Sequence, residues 1–141
     1  MTSQLNVDTI VDKAGSGGTN VKISTASTYV SEGGAKTQNA VQGIAKAWLS
    51  FDGTSTAHID DSFNFASVSD EGTGDYIITF TNAMNTADYS HTNGAASPSG
   101  QSFGIRQPNT MSATQVSFGT YYGTTQADFA NVSSTIHGDL A

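Results

Sequence analysis

The sequence predicts an all-β protein, an antiparallel β-sandwich that carries an extended N-terminal arm. Three observations predict it. Charged residues make up only 12% of the 141 residues, whereas 37 are Ser or Thr and 15 are Gly, a composition suited to strands and turns rather than solvated helices. Short runs of alternating apolar and polar residues recur, separated by Gly- and Asp-rich turns. No long apolar stripe at helical spacing accompanies them. Jelly-roll-like and immunoglobulin-like sandwiches are both open.

Two parts separate, an arm with a linker over residues 1–43 and a β-sandwich domain over 44–141. In the arm, Leu5, Val7, Ile10 and Val11, then Val21 and Ile23, mark two short strands around the Gly-rich turn KAGSGGTN. The following STYVSEGGAKTQNAVQG has little periodicity and few large apolar residues, so it reads as a linker or as a segment ordered against a partner. In the domain, Ala45, Ala47, Leu49 and Phe51 share one face of a strand, and Ile44, Lys46, Trp48 and Ser50 share the other. Asp52-Gly53 is a hairpin signal. DSFNFASVSD places Phe63 and Phe65 on one face, DEGTGD makes the next turn, and YIITFT sets Tyr76, Ile78 and Phe80 opposite Ile77 and Thr79. ADYSHT, QSFGIRQ, TQVSFGTYYG and ANVSSTIHG continue the strand rhythm. Trp48, Phe51, Phe63, Phe65, Tyr76, Ile78 and Phe80 are the expected core anchors, with Trp48, the sole tryptophan, largely buried.

The chemistry-bearing residues point away from catalysis. There is no cysteine, hence no disulfide framework and no thiolate metal site. His58, His91 and His137 are far apart and lack ligand spacing, although a trimer could gather three copies of one of them on its axis. Asp70, Glu71 and Asp75 do not match a calcium loop and read as a solvated hairpin turn. AGSGGTN lacks the lysine-hydroxyl pair that follows the glycines of a phosphate loop. Asp60 and Asp61 are adjacent, so on a regular strand they face opposite ways and cannot work as a pair. The expectation is a non-enzyme without cofactor or metal. The net charge of −7 opposes nucleic-acid binding, no apolar run reaches membrane-spanning length, and the N-terminus lacks the pattern of a signal peptide. Tyr121 and Tyr122, flanked by glycines in SFGTYYG, are candidates for a contact loop.

The segment AKAWLSFDGTST…IDDSFNFASVSDEGTGDYIITFTNAM…ADYS, residues 45–90, resembles a module of bacteriophage tail-fibre and related virion proteins, and SQLNVDTIVDKAG resembles their N-terminal segments. The resemblance implies a virion structural protein located in the particle and assembled as a homotrimer. Its partners would be other virion proteins and a host surface glycan or protein. A short tail fibre or tail appendage, whose distal domain contacts the host, is the first expectation. A capsid decoration or head-fibre protein gripping the shell through its arm is the alternative. In both, Leu5, Val7, Ile10, Val11, Val21 and Ile23 would form the attachment arm by adding strands to a neighbour.

Overall fold

Alternation of inward and outward residues builds the strands Ala47–Asp52, Asp75–Phe80 and Asn131–His137. The computed structural model describes residues 28–30, 37–96, 103–106 and 111–140. The arm residues Leu5, Val7, Ile10, Val11, Val21 and Ile23 lie outside the described residues. The protein is all-β: among the described residues there is no helix, and every strand pairing is antiparallel.

The chain divides into two compact units, Met1–Val41 and Gln42–Ala141. In the first, β1 (Thr28–Val30) pairs with β2 (Thr37–Asn39). This hairpin falls in the stretch that the sequence marked as lacking periodicity. Main-chain pairing needs no apolar alternation, so two three-residue strands form without announcing themselves.

The second unit holds β3 (Ala47–Asp52), β4 (His58–Phe63), β5 (Phe65–Gly72), β6 (Asp75–Phe80), β7 (Ser90–Ala96), β8 (Phe103–Arg106), β9 (Gln115–Tyr122), β10 (Thr125–Gln126) and β11 (Asn131–His137). One sheet runs β4-β3-β11-β7. The other runs β10-β9-β6-β5, with β8 also paired to β9. Their buried faces share one core, a sandwich-like arrangement. The first sheet contributes Ala47, Leu49, Phe51, Val132, Ile136 and Ala95; the second contributes Phe65, Tyr76, Ile78, Phe80 and Val116. Phe51 meets Tyr76 edge-on across the sheets, with centroids 5.0 Å apart. Within the second sheet Phe65 stacks on Phe80. Full burial of a side chain such as Leu49 or Ile78 contributes about 1.5–3 kcal/mol.

Two of the expected core anchors are not in the core. Trp48 is 39% exposed and Phe63 53% exposed. Trp48 sits between the inward residues Ala47 and Leu49, so alternation sends it outward whatever its size. Phe63 and Phe65 do not share a face, because Asn64 between them has φ = 60° and ends β4. There the chain leaves the first sheet and enters the second. Asn64 is a tolerable residue in the left-handed region, and its side chain fastens the corner. Its Nδ2 donates to the Lys46 and Asn82 carbonyls, and its Oδ1 accepts from Asn82 N at 2.8 Å.

The opposite end is closed around Tyr76. Its buried hydroxyl donates to Asp128 Oδ1 at 2.8 Å and lies 3.1 Å from the Gly53 carbonyl oxygen. Asp128 Oδ1 also accepts Gly74 N, and Gly53 N donates to the Phe129 carbonyl. Gly53 leaves room for the ring: a Cβ there would collide with the Tyr76 hydroxyl. Gly74, at φ = 66° in the two-residue turn between β5 and β6, has no space for one either. The Asp52-Gly53 signal does mark a hairpin, but the loop spans 53–57 rather than two residues, with the Asp52 carboxylate accepting both Thr54 N and Thr54 Oγ1.

Replacing the hydroxyl tests this closure. Tyr76→Phe removes the single hydroxyl proton shared between the Asp128 carboxylate and the buried Gly53 carbonyl and should lower unfolding free energy by about 1–3 kcal/mol. Gly53→Ala should cost at least as much by steric overlap. Urea denaturation followed by circular dichroism reads both.

Candidate functional site

The outward face of the β4-β3-β11-β7 sheet carries the most unusual surface among the described residues. Strand pairing arranges its side chains in rows. Phe63, Trp48, Thr135 and Thr92 form one row across all four strands. Asp61, Ser50, Ser133 and Gly94 form the next. Asp52 and His58 stand opposite each other beyond it, with Asn131 opposite Ala96. Two large exposed aromatics are thus direct cross-strand neighbours, bordered by hydroxyls.

Beside them lies an open depression of about 320 Å³, lined in part by Ser50, Gly94, Asn131 and Ser133. Gly94 is part of its lining, and a Cβ there would stand 2.9 Å from Ser133 Oγ. The volume is at the low end for ligand pockets, enough for one small ring.

The face is acidic. Asp60 interrupts the β3–β4 register as a bulge, since Ser50 pairs with Asp61 and Phe51 with Ile59. The bulge removes the expected strict alternation of the two aspartates, and both are exposed. His58 Nε2 lies 3.5 Å from Asp60 Oδ1. The hydroxyl and backbone N–H of Thr54 hold the Asp52 carboxyl below the usual carboxylate range. Lys46, at the end of the same strand face, is buried and donates its ammonium to the Ile44 carbonyl at 2.8 Å.

A second polar cluster points inward. His91 Nε2 lies 2.8 Å from Ser134 Oγ, and Asn93 Nδ2 lies 3.4 Å from His91 Nδ1. Asn93 Oδ1 is buried without a hydrogen-bond partner among the described residues. Burial pushes the His91 pKa down to about 4, so the ring is neutral near pH 7.

Tyr121 and Tyr122 lie on the other sheet, at the β9–β10 hairpin closed by Gly123 at φ = 61°. Tyr122 is exposed, while Tyr121 is half-buried with its ring beside Gly119. They are not brought together with Trp48 and Phe63. Of the other expected anchors, Phe51, Phe65, Tyr76, Ile78 and Phe80 are buried. His58 is exposed, His91 faces inward and His137 ends β11, and among the described residues no group of three or more potential ligands could hold a metal ion. Asp70 caps its own turn by accepting Gly72 N. The residues that sequence reasoning missed are Gly94, Ser133 and Thr135. Their only signal was outward parity on strands whose register the sequence did not give.

Comparison with known proteins finds no matching family model, no matching curated protein and no matching solved structure.

Because Trp48 lies on the outward face and is partly exposed, Trp48→Ala should cost less than Leu49→Ala beside it, for which about 2–5 kcal/mol is expected. Thermal melts of the two variants decide this. His91 generates a pH dependence. Its folded pKa of about 4 lies below the unfolded value of 6.5, so below pH 6.5 the unfolded chain takes up a proton that the native state refuses. Stability should be full above about pH 7, fall by on the order of 2–3 kcal/mol between pH 6.5 and 4, and lose this contribution's slope below that. Unfolding across that range, compared with a His91→Gln variant whose slope should be shallower, measures it.

Proposed function

We propose that this chain is a non-catalytic structural protein of a bacteriophage virion, a tail appendage whose β-sandwich contacts the host surface and whose residues 1–43 anchor it to the particle. The reading takes the assembly to be a homotrimer. What supports the virion assignment is the resemblance of residues 45–90 to tail-fibre modules. The observation that carries host contact is the exposed Trp48–Phe63 pair on a hydroxyl-rich sheet face. Two neighbouring large aromatics lie outside the core cluster with part of their surface turned to solvent, and aromatic side chains concentrate at contact surfaces because they offer area at low conformational cost. The acidic balance of the chain weighs against a nucleic-acid partner.

Fluorescently labelled full-length protein incubated with host cells should bind saturably, and Trp48→Ala should weaken binding about tenfold or more without loss of fold. The bound host polysaccharide should keep its chain length, as a contact protein requires. Binding that is unaffected by Trp48→Ala would place the contact elsewhere, with the Tyr121–Tyr122 hairpin the next surface to test. No binding to host cells, together with hundreds of copies per particle, would make this a capsid decoration protein instead.

A further inference from the structure

The outer sheet face combines three features that are separate in the sequence: an exposed aromatic pair, a ring-sized depression and a set of side-chain oxygens. We infer that this face binds an uncharged hexopyranose oligosaccharide, one ring stacked on Trp48 and Phe63 and another, further along the same sugar chain, seated over the Gly94 depression. The inference deepens the host-contact reading and rests on it for the role of the sugar.

The stacking surface comes first. A pyranose ring has one face made largely of C–H groups, and it gains most when laid on exposed aromatic carbon. Trp48 and Phe63 offer that carbon side by side, as Cα partners across β3 and β4. The polar groups come second. Sugar hydroxyls need acceptors and donors at the ring edge. Asp61 and Ser50 stand in the row immediately next to Phe63 and Trp48, and Ser133 continues that row toward Gly94. Ser50 stands two positions along the strand from Trp48, about 7 Å, and Gly94 lies two strands across from Ser50, about 10 Å, so the face is spanned by a chain of several rings rather than by two adjacent ones. The depression comes third: with no side chain at Gly94, a second ring can settle against backbone and the Ser133 hydroxyl.

Charge selects among flat ligands. Nucleobases also stack on aromatics, but they bring phosphates, and acidic sugars bring carboxylates. Asp52, Asp60 and Asp61 lie on this face, and the ammonium of Lys46 is held at the Ile44 carbonyl. An anionic ligand meets like charge there and an uncharged one does not. The same carboxylates oppose a second copy of the chain laid face to face on the first.

Trp48 is the only tryptophan, so its fluorescence reports this site without interference. The full-length oligomer is titrated with neutral hexasaccharides of gluco, manno and galacto configuration, with the corresponding monosaccharides, and with hexagalacturonate. At least one neutral hexasaccharide should shift the emission to shorter wavelength and protect it from acrylamide. Phe63→Ala should weaken that binding about tenfold. Gly94→Val, whose Cβ meets only the flexible end of Ser133 and whose methyls intrude on the depression, should abolish the advantage of the hexasaccharide over its monosaccharide while the emission of the free protein stays unchanged. The inference is overturned if no neutral sugar alters Trp48 fluorescence, if hexagalacturonate binds as well as the neutral chains, or if the emission shifts with protein concentration alone, which would mean that a second copy covers the face. Trp48-dependent binding to host cells without any sugar response would sink this inference and leave the host-contact reading standing. Sugar binding without cell binding would do the reverse.

Discussion

The hydroxyl of Tyr76 is the contact that the two-sheet arrangement depends on. It belongs to the second sheet, reaches the loop that follows β3 of the first sheet at Gly53, and is held by Asp128 just before β11. Asp128 in turn takes the backbone N–H of Gly74, so one carboxylate oxygen serves a side chain and a hairpin turn. Three chain segments far apart in sequence are thereby fixed at one end of the core. Burial and the neighbouring Asp128 both push the Tyr76 pKa well up, which keeps the hydroxyl a donor at any ordinary pH. At the other end, Asn64 does comparable work with a left-handed backbone and a side-chain amide. Between these two joints, alternation in β3 and β6 fills the core with little further instruction.

Residues 45–90 hold most of these joints: Gly53, Asn64, Gly74, Tyr76 and Asn82 each make or permit a joint contact. Of the binding face, the same stretch supplies Trp48, Phe63 and the aspartates, whereas Thr92, Gly94, Ser133 and Thr135 come from later strands. A chain can keep the joints and change the face.

Much of the fold was legible because β-structure writes itself in period two. Ala47, Leu49 and Phe51 against Trp48 and Ser50, and Tyr76, Ile78 and Phe80 against Ile77 and Thr79, divide as the strands do. The errors have local causes. The size of Trp48 points to the core, but its parity with Ser50 sends it outward. Phe63 and Phe65 were joined across a residue whose positive φ breaks the alternation, and nothing in FNF except the Asn hints at that. Asp128 was invisible, because its partner Tyr76 is 52 positions away and ADFA carries no motif. The binding face was invisible for the same kind of reason: it exists only once β11 is placed between β3 and β7, and that order is not sequential.

The acidic bulge resolves a conflict that the binding face creates. Exposing Trp48 and Phe63 places apolar surface next to β4, an edge strand of its sheet, and an exposed apolar edge is a template for unwanted strand pairing. Asp60 interrupts the hydrogen-bond register of that edge, and Asp60, Asp61 and His58 crowd it with polar and charged groups. The aromatics can therefore face solvent without recruiting another sheet. Such a face binds weakly at any one site, since it relies on two rings and a few hydroxyls rather than an enclosed pocket. In a trimeric appendage repeated on a particle, as proposed, weak sites add through effective concentration instead of through new contacts. A sparse, uncharged-ligand face protected at its edge is then sufficient for attachment, and a deep catalytic cleft would add nothing to it.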